Sequence, residues 1–223
     1  MKALFFFFAF LFFGSQSFGQ SRSLGLQLGS GNSQNDISTT NNPASLIQEI
    51  RPQIGIFTRK YLNPSFSWKT GLNYAQLAGA DTLHTNESRG LSYRTNLFEI
   101  TNQLEYNLVK NEQVKVFSLI GLNAFYLFEP VSIRAGEETR QTQQAALNAA
   151  AMLGFGWRIP LDRSWSLGGE FTYHITTTDY LDAMEVPSNG YNFNDFYYHF
   201  TLEISKTLRN KRGKSGSNEC PSF

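Results

Sequence analysis

The run Phe196–Leu208 alternates strictly: Phe196, Tyr198, Phe200, Leu202 and Ile204 take every second place, with Tyr197, His199, Thr201, Glu203 and Ser205 between them. A repeat of two is the period of an extended strand with one apolar and one polar face. Seven earlier runs repeat the pattern: Arg22–Gly31, Glu49–Arg59, Ser65–Leu77, Thr95–Leu108, Val114–Phe128, a run ending in Leu153, Phe155 and Trp157, and Ser164–Thr177. Val114–Phe128 is apolar on both faces, so it specifies its inner side least. The Ala-rich stretch Gln144–Ala151 reads equally as the start of the sixth strand or as a helical turn.

The connections alternate in length. Asn32–Gln48, Ala78–Arg94, Glu129–Asn148 and Thr178–Asp195 are long, polar and rich in turn formers, whereas Lys60–Pro64, Val109–Gln113 and Pro160–Arg163 are short. An even number of strands with short turns at one end and long loops at the other is the pattern of a transmembrane barrel. The expected fold is all-β: an eight-stranded antiparallel up-and-down transmembrane β-barrel over residues 20–208. Both termini then lie on the short-turn, periplasmic side of an outer membrane.

Residues 1–19 read as a signal peptide. Lys2 gives the positive start, Leu4–Phe13 is a continuous apolar block, and Ser17 and Gly19 are small residues before a cleavage point. The block is too short to span a bilayer as a helix. Residues 209–223 read as a basic, disordered periplasmic tail that holds Cys220, the single cysteine, as a bystander. With 19 basic and 18 acidic residues, the charge balance gives no reason to expect nucleic acid as a partner.

Alternation alone also fits a soluble lipocalin, which turns its apolar face inward. Two features favour apolar-out. Gly25, Gly29, Gly55, Gly71, Gly154, Gly156 and Gly168 all share the polar face, as the crowded lumen of a narrow barrel demands. Trp68, Trp157 and Trp165 share the apolar face and all fall at the short-turn end, like an interfacial girdle. Phe98, Tyr126, Phe128, Tyr173, Phe196 and Tyr198 cluster toward the other end. The lumen is then expected to hold Arg51, Lys69, Glu99, Glu105, Arg158, Glu170, His174 and Glu203, paired or hydrated, in a filled barrel without a general diffusion channel.

Four stretches stand out: Thr178-Asp179-Tyr180-Leu181-Asp182, Arg89-Gly90-Leu91-Ser92-Tyr93-Arg94, Glu99 through Glu105-Tyr106-Asn107, and Arg51-Pro52-Gln53-Ile54-Gly55. They resemble a group of small Bacteroidota outer-membrane barrels, OmpA-like in architecture and including PorT-like accessory proteins of a secretion system. The resemblance implies a structural or accessory role in assembly or secretion rather than chemistry. The partners expected are outer-membrane lipids and lipopolysaccharide, the barrel-assembly machinery during insertion, and other outer-membrane or periplasmic proteins.

The alternative is an enzyme that modifies lipid A or phospholipid, with His174, Thr176 and Glu170 as the nearest approach to a triad on one strand face. A lone lumen histidine bonded to a glutamate is the plainer reading, and His199 beside Glu203 reads alike. His84, His174 and His199 lie on separate elements without ligand spacing, and Asp179, Asp182 and Glu185 lack the pattern of a calcium loop. No catalytic, cofactor-binding or metal residue is therefore assigned, and no cofactor. Asp81-Thr82-Leu83 and Asn86-Glu87-Ser88 match short glycosylation patterns in an exposed loop, and Tyr191, Phe193, Phe196 and Tyr197 form an aromatic loop edge.

Overall fold

The computed structural model describes residues 21–34, 49–80, 91–110, 113–128, 131–135, 138–142, 147–178, 181 and 195–208. The signal segment, the basic tail with Cys220, and Asp81, His84, Asn86, Asp179, Asp182, Glu185, Tyr191 and Phe193 lie outside the described residues. Ten strands follow in order: β1 (Arg22–Gln34), β2 (Arg51–Tyr61), β3 (Phe66–Ala80), β4 (Leu91–Lys110), β5 (Lys115–Leu127), β6 (Val131–Ala135), β7 (Glu138–Thr142), β8 (Leu147–Pro160), β9 (Trp165–Thr176) and β10 (Phe196–Leu208). Eight of them close a ring of antiparallel neighbours, β1-β2-β3-β4-β5-β8-β9-β10, with β10 returning to β1 from Arg22↔Leu208 to Gln34↔Phe196. Closure leaves the ring no free edge, which is what allows strands to cross a bilayer.

The faces are sorted as the alternation predicts. Leu26, Leu28, Ile120, Leu122, Phe155 and Phe200 are each more than half exposed, while Lys69, Glu99, Glu105, Arg158, Glu170, His174 and Glu203 are buried inside. A water-soluble protein does not wrap itself in such a belt, and the apolar-in lipocalin reading is overturned. Trp68, Trp157 and Trp165 face outward at the turn end, where the Trp157 indole lies across Gly169 of β9. At the loop end, Phe98 and Tyr126 both pack edge-on to Phe128, and Tyr173 stacks on Phe196.

Two of the short turns use one device. Asn63 Oδ1 accepts the amides of Ser65 (2.8 Å) and Phe66 (2.9 Å), and Asp162 Oδ1 accepts those of Ser164 (2.5 Å) and Trp165 (2.7 Å). A short side-chain acceptor replaces backbone pairing where the chain reverses. The Ser164 and Trp165 amides hold the exposed Asp162 carboxyl below the usual carboxylate range.

Some boundaries differ from expectation, and one reading left open is decided. β3 runs on to Ala80 and β4 begins at Leu91, so part of Ala78–Arg94 is strand. Leu77, Ala78 and Gly79 are all buried, and with both faces covered by small residues the alternation that marks a strand fades. The stretch Glu129–Asn148 contains the hairpin β6–β7, and β6 extends the outer end of β4 through Leu91↔Ala135 to Arg94↔Ser132. Leu147–Ala151 is strand, not helix, with Ala150 inside and Ala149 and Ala151 outside.

Candidate functional site

Among the described residues the fold gathers its reactive side chains in the lumen, which is layered. Nearest the turns, β2, β3 and β8 each send in a cation and β4, β9 and β10 each send in a carboxylate. Arg59 forks between two acids. Its Nε lies 2.9 and 3.0 Å from the Glu105 oxygens and its terminal nitrogen 2.8 and 2.9 Å from those of Glu203. Lys69 Nζ donates to Glu170 (2.9 Å) and Glu203 (3.1 Å), and Arg158 donates to Glu105 (2.9 Å) and lies 3.6 Å from Glu203. Gln103 Nε2 adds a bond to Glu170 (2.9 Å). Three cations thus face three carboxylates at this level. An isolated charge here would be prohibitively costly, and mutual pairing is what permits burial.

Aromatic rings complete the layer. Phe57 lies under both Arg59 (4.8 Å) and Lys69 (4.5 Å), and Phe117 under Arg158 (4.9 Å). Each ring needs a glycine beside it. A Cβ at Gly25 would strike the Phe57 ring, and one at Gly156 would come within 2.5 Å of Phe117. The polar-face glycines make room for lumen side chains.

A second layer lies toward the loops. Tyr197 donates its hydroxyl to Glu99 (2.6 Å), and Asn123 Nδ2 donates to Tyr197 (2.6 Å) and Glu99 (3.1 Å). His174 stacks on Tyr197 with centroids 4.3 Å apart, and its Nε2 is 2.9 Å from Thr172 Oγ1. His199 Nδ1 lies 3.7 Å from Glu99, and the two imidazoles are 5.0 Å apart. Above this, Ala75, Leu77, Leu97, Phe125, Leu127 and Leu181 form an apolar plug. Leu181 comes from the connection after β9, and its amide is tied to Asp195 Oδ2 at 2.8 Å.

The expected lumen residues are therefore brought together, with one correction. Arg51 is only half-buried at the loop end, bonded to the Ile50 carbonyl (2.9 Å) and apart from the network, because it opens β2 rather than crossing the interior. Arg59, at the other end of the same strand face, takes the place Arg51 was expected to fill. The alternation 51, 53, 55, 57, 59 contained that signal. Tyr197 is not a loop-edge aromatic but a fully buried lumen residue. His174 and His199, on separate strands, prove to be neighbours through the pairing of β9 with β10.

The supposed triad is dispersed: Glu170 holds Lys69 and Gln103, and Thr176 Oγ1 bonds the carbonyls of Thr178 (2.6 Å) and Asp195 (2.8 Å). His199 is likewise turned to Glu99 rather than to Glu203, which Arg59 and Lys69 occupy.

Residues 5–203 match the family model described as the outer membrane protein beta-barrel domain. The chain belongs to that family. It is an outer-membrane β-barrel. Among solved structures, Neisserial surface protein A is similar at 10% identity and a TM-score of 0.54, covering 85% of this chain and 99% of its own. The attachment invasion locus protein Ail of Yersinia pestis, solved with the heparin analogue sucrose octasulfate, shares 11% identity at a TM-score of 0.47, covering 85% and 99%. OprG of Pseudomonas aeruginosa shares 9% at 0.48, covering 86% and 97%. At such identities the likeness is one of fold. No curated protein matches the chain.

Proposed function

We propose that this barrel is a structural or accessory protein of the outer membrane, working in assembly or secretion through its loops and rim rather than through its interior. The filled lumen carries this reading. An ion-pair layer, a hydrogen-bonded Glu99 layer and an apolar cluster occupy successive levels among the described residues, as expected of a barrel of about eight strands filled by its side chains. The stretches resembling PorT-like barrels of Bacteroidota point the same way. The short turns and both termini then face the periplasm, where accessory partners would meet them.

The test is a native gel of outer membranes gently extracted in detergent. Migration in a large assembly supports the reading, and the co-migrating proteins name the process. Migration as a lone barrel refutes a stable subunit. On the competing lipid-enzyme reading, His174→Ala would change the lipid A profile seen by mass spectrometry. We expect it unchanged, because His174 faces the lumen and is only 1% exposed, away from the lipid.

A further inference from the structure

The apolar belt is broken on one side by a polar row. Thr58 of β2 pairs with Thr70 of β3, and Thr70 with Asn102 of β4, all three at outward positions. Along β4 the outward residues run Tyr106, Leu104, Asn102, Ile100, Phe98, so Asn102 stands midway between an aromatic residue at the turn end and one at the loop end. Aromatic residues mark the two edges of the bilayer, which puts Asn102 at the depth of the acyl chains. Thr70 Oγ1 donates to Asn102 Oδ1 at 2.9 Å, and among the described residues the carboxamide nitrogen has no partner. Acyl chains offer it no acceptor, and an amide left unbonded in hydrocarbon is costly.

The surface around Asn102 is uneven. On the side of β3 and β2 it stands high, with Leu72, Tyr74 and Ile56 exposed. On the side of β5 and β8 it falls away around Leu122. Ala124 pairs with Ile100 and Ala149, and Ala151 pairs with Leu122, itself the β5 partner of Asn102. A two-fold axis along the membrane normal through Asn102 would set the high flank of one copy on the low flank of another. Small residues let backbones approach closely in lipid, where packing and hydrogen bonds drive association.

We infer that this face binds a second copy of the chain within the membrane, on a two-fold axis through Asn102. The chemistry of the residue selects that occupant. A carboxamide is its own complement: each nitrogen donates to the other's oxygen, which keeps a lone pair beside the one that Thr70 uses. Self-complementarity is what a two-fold contact requires. β10 lies opposite β4 in the ring, and its outward Phe200, Leu202 and Ile204 are left to lipid. The inference rests on the outer-membrane barrel fold and not on the accessory role, so each can fail alone.

The test is energy transfer between barrels in phosphatidylcholine vesicles, with donor and acceptor dyes on Cys220, the single cysteine. Transfer should exceed that of randomly placed barrels and fall on dilution with lipid along a monomer–dimer curve. Asn102→Leu should weaken association about tenfold. Leucine suits the belt, so that loss is not a failure to fold. Transfer no greater than random overturns the inference, and unchanged association of Asn102→Leu overturns the role of Asn102. A short thiol-to-thiol crosslinker then locates the face in a Cys220→Ser chain. Ile100→Cys should give a two-copy product and Leu202→Cys should not, whereas equal products refute the assignment to β4. Isolation from native outer membranes as a one-to-one complex with a different protein, broken by Asn102→Leu, gives the face to that protein and refutes self-association.

Discussion

Replacing Arg59 with methionine tests whether the lumen network is a balanced unit. Arg59 makes four contacts of 3.0 Å or less to Glu105 and Glu203 and is fully buried. Methionine keeps much of the volume and can still pack against Phe57, so the change isolates charge. Breaking a buried pair from one side costs about 3–5 kcal/mol, because the partner charge is stranded. Here neither acid is fully stranded. Glu105 keeps Arg158 at 2.9 Å, and Glu203 keeps Lys69 at 3.1 Å. The lower end applies, about 3 kcal/mol, or roughly a hundredfold in the folding equilibrium.

The assay is equilibrium unfolding by urea in phosphatidylcholine vesicles, followed by tryptophan fluorescence. A lower midpoint at unchanged slope reports lost stability. The double variant Arg59→Met with Glu105→Gln restores two cations against two carboxylates and should recover at least about 1 kcal/mol, since sites in one network are not additive. The balance argument is refuted if Arg59→Met costs less than about 1 kcal/mol. It is equally refuted if Glu105→Gln adds its own cost in full to that of Arg59→Met.

Further outcomes follow from the faces and the turns. Ile120 is 67% exposed, midway along β5. Ile120→Arg should destabilise the barrel by about 2–4 kcal/mol in the same assay if that position meets the bilayer midplane, and an effect near zero would place it at an interface. Gly156→Ala pushes on the Phe117 ring and should cost about 1–3 kcal/mol by overpacking, with the double variant Gly156→Ala, Phe117→Leu partly rescued. Asp162 lies below the ordinary carboxylate range because the charged form accepts backbone amides. The turn is therefore held fully above the unfolded-chain value and loosens as pH falls through the lower folded value. Hydrogen exchange at the Ser164 and Trp165 amides should accelerate, relative to its intrinsic rate, over that acid interval, and Asp162→Ala should raise it at neutral pH.

Strand identity and inside-outside sorting were legible because a barrel in lipid writes its pattern in period two. β10 begins and ends where the alternation says, at Phe196 and Leu208. Legibility failed where period two stopped carrying information. Above the belt at Ala78 and Gly79, both faces are covered and the residues are small. The hairpin β6–β7 is a product of pairing with β4, and a polar stretch announces no such partner. In the lumen the alternation told which residues point inward but not at what height. Arg51 and Arg59 share a face of β2, and only the register Arg59↔Lys69 with Lys69↔Gln103 brings the second to Glu105's level.

Height is what separates the lumen's layers. Glu99 and Glu105 share the inner face of β4, six residues apart in the chain, yet one sits among three cations and the other among a tyrosine, an asparagine and two histidines. The first neighbourhood is a set of ion pairs shared between strands, so it serves to fix the barrel's shape. The second sets Glu99 against the Tyr197 hydroxyl, the Asn123 amide and His199, with no lysine or arginine against its carboxylate among the described residues. Glu99→Gln should therefore cost less than Glu105→Gln in urea unfolding, since an amide can still accept from Tyr197 and no buried cation is left behind. Equal costs would mean that the two layers are one coupled network, and that the division by charge is wrong.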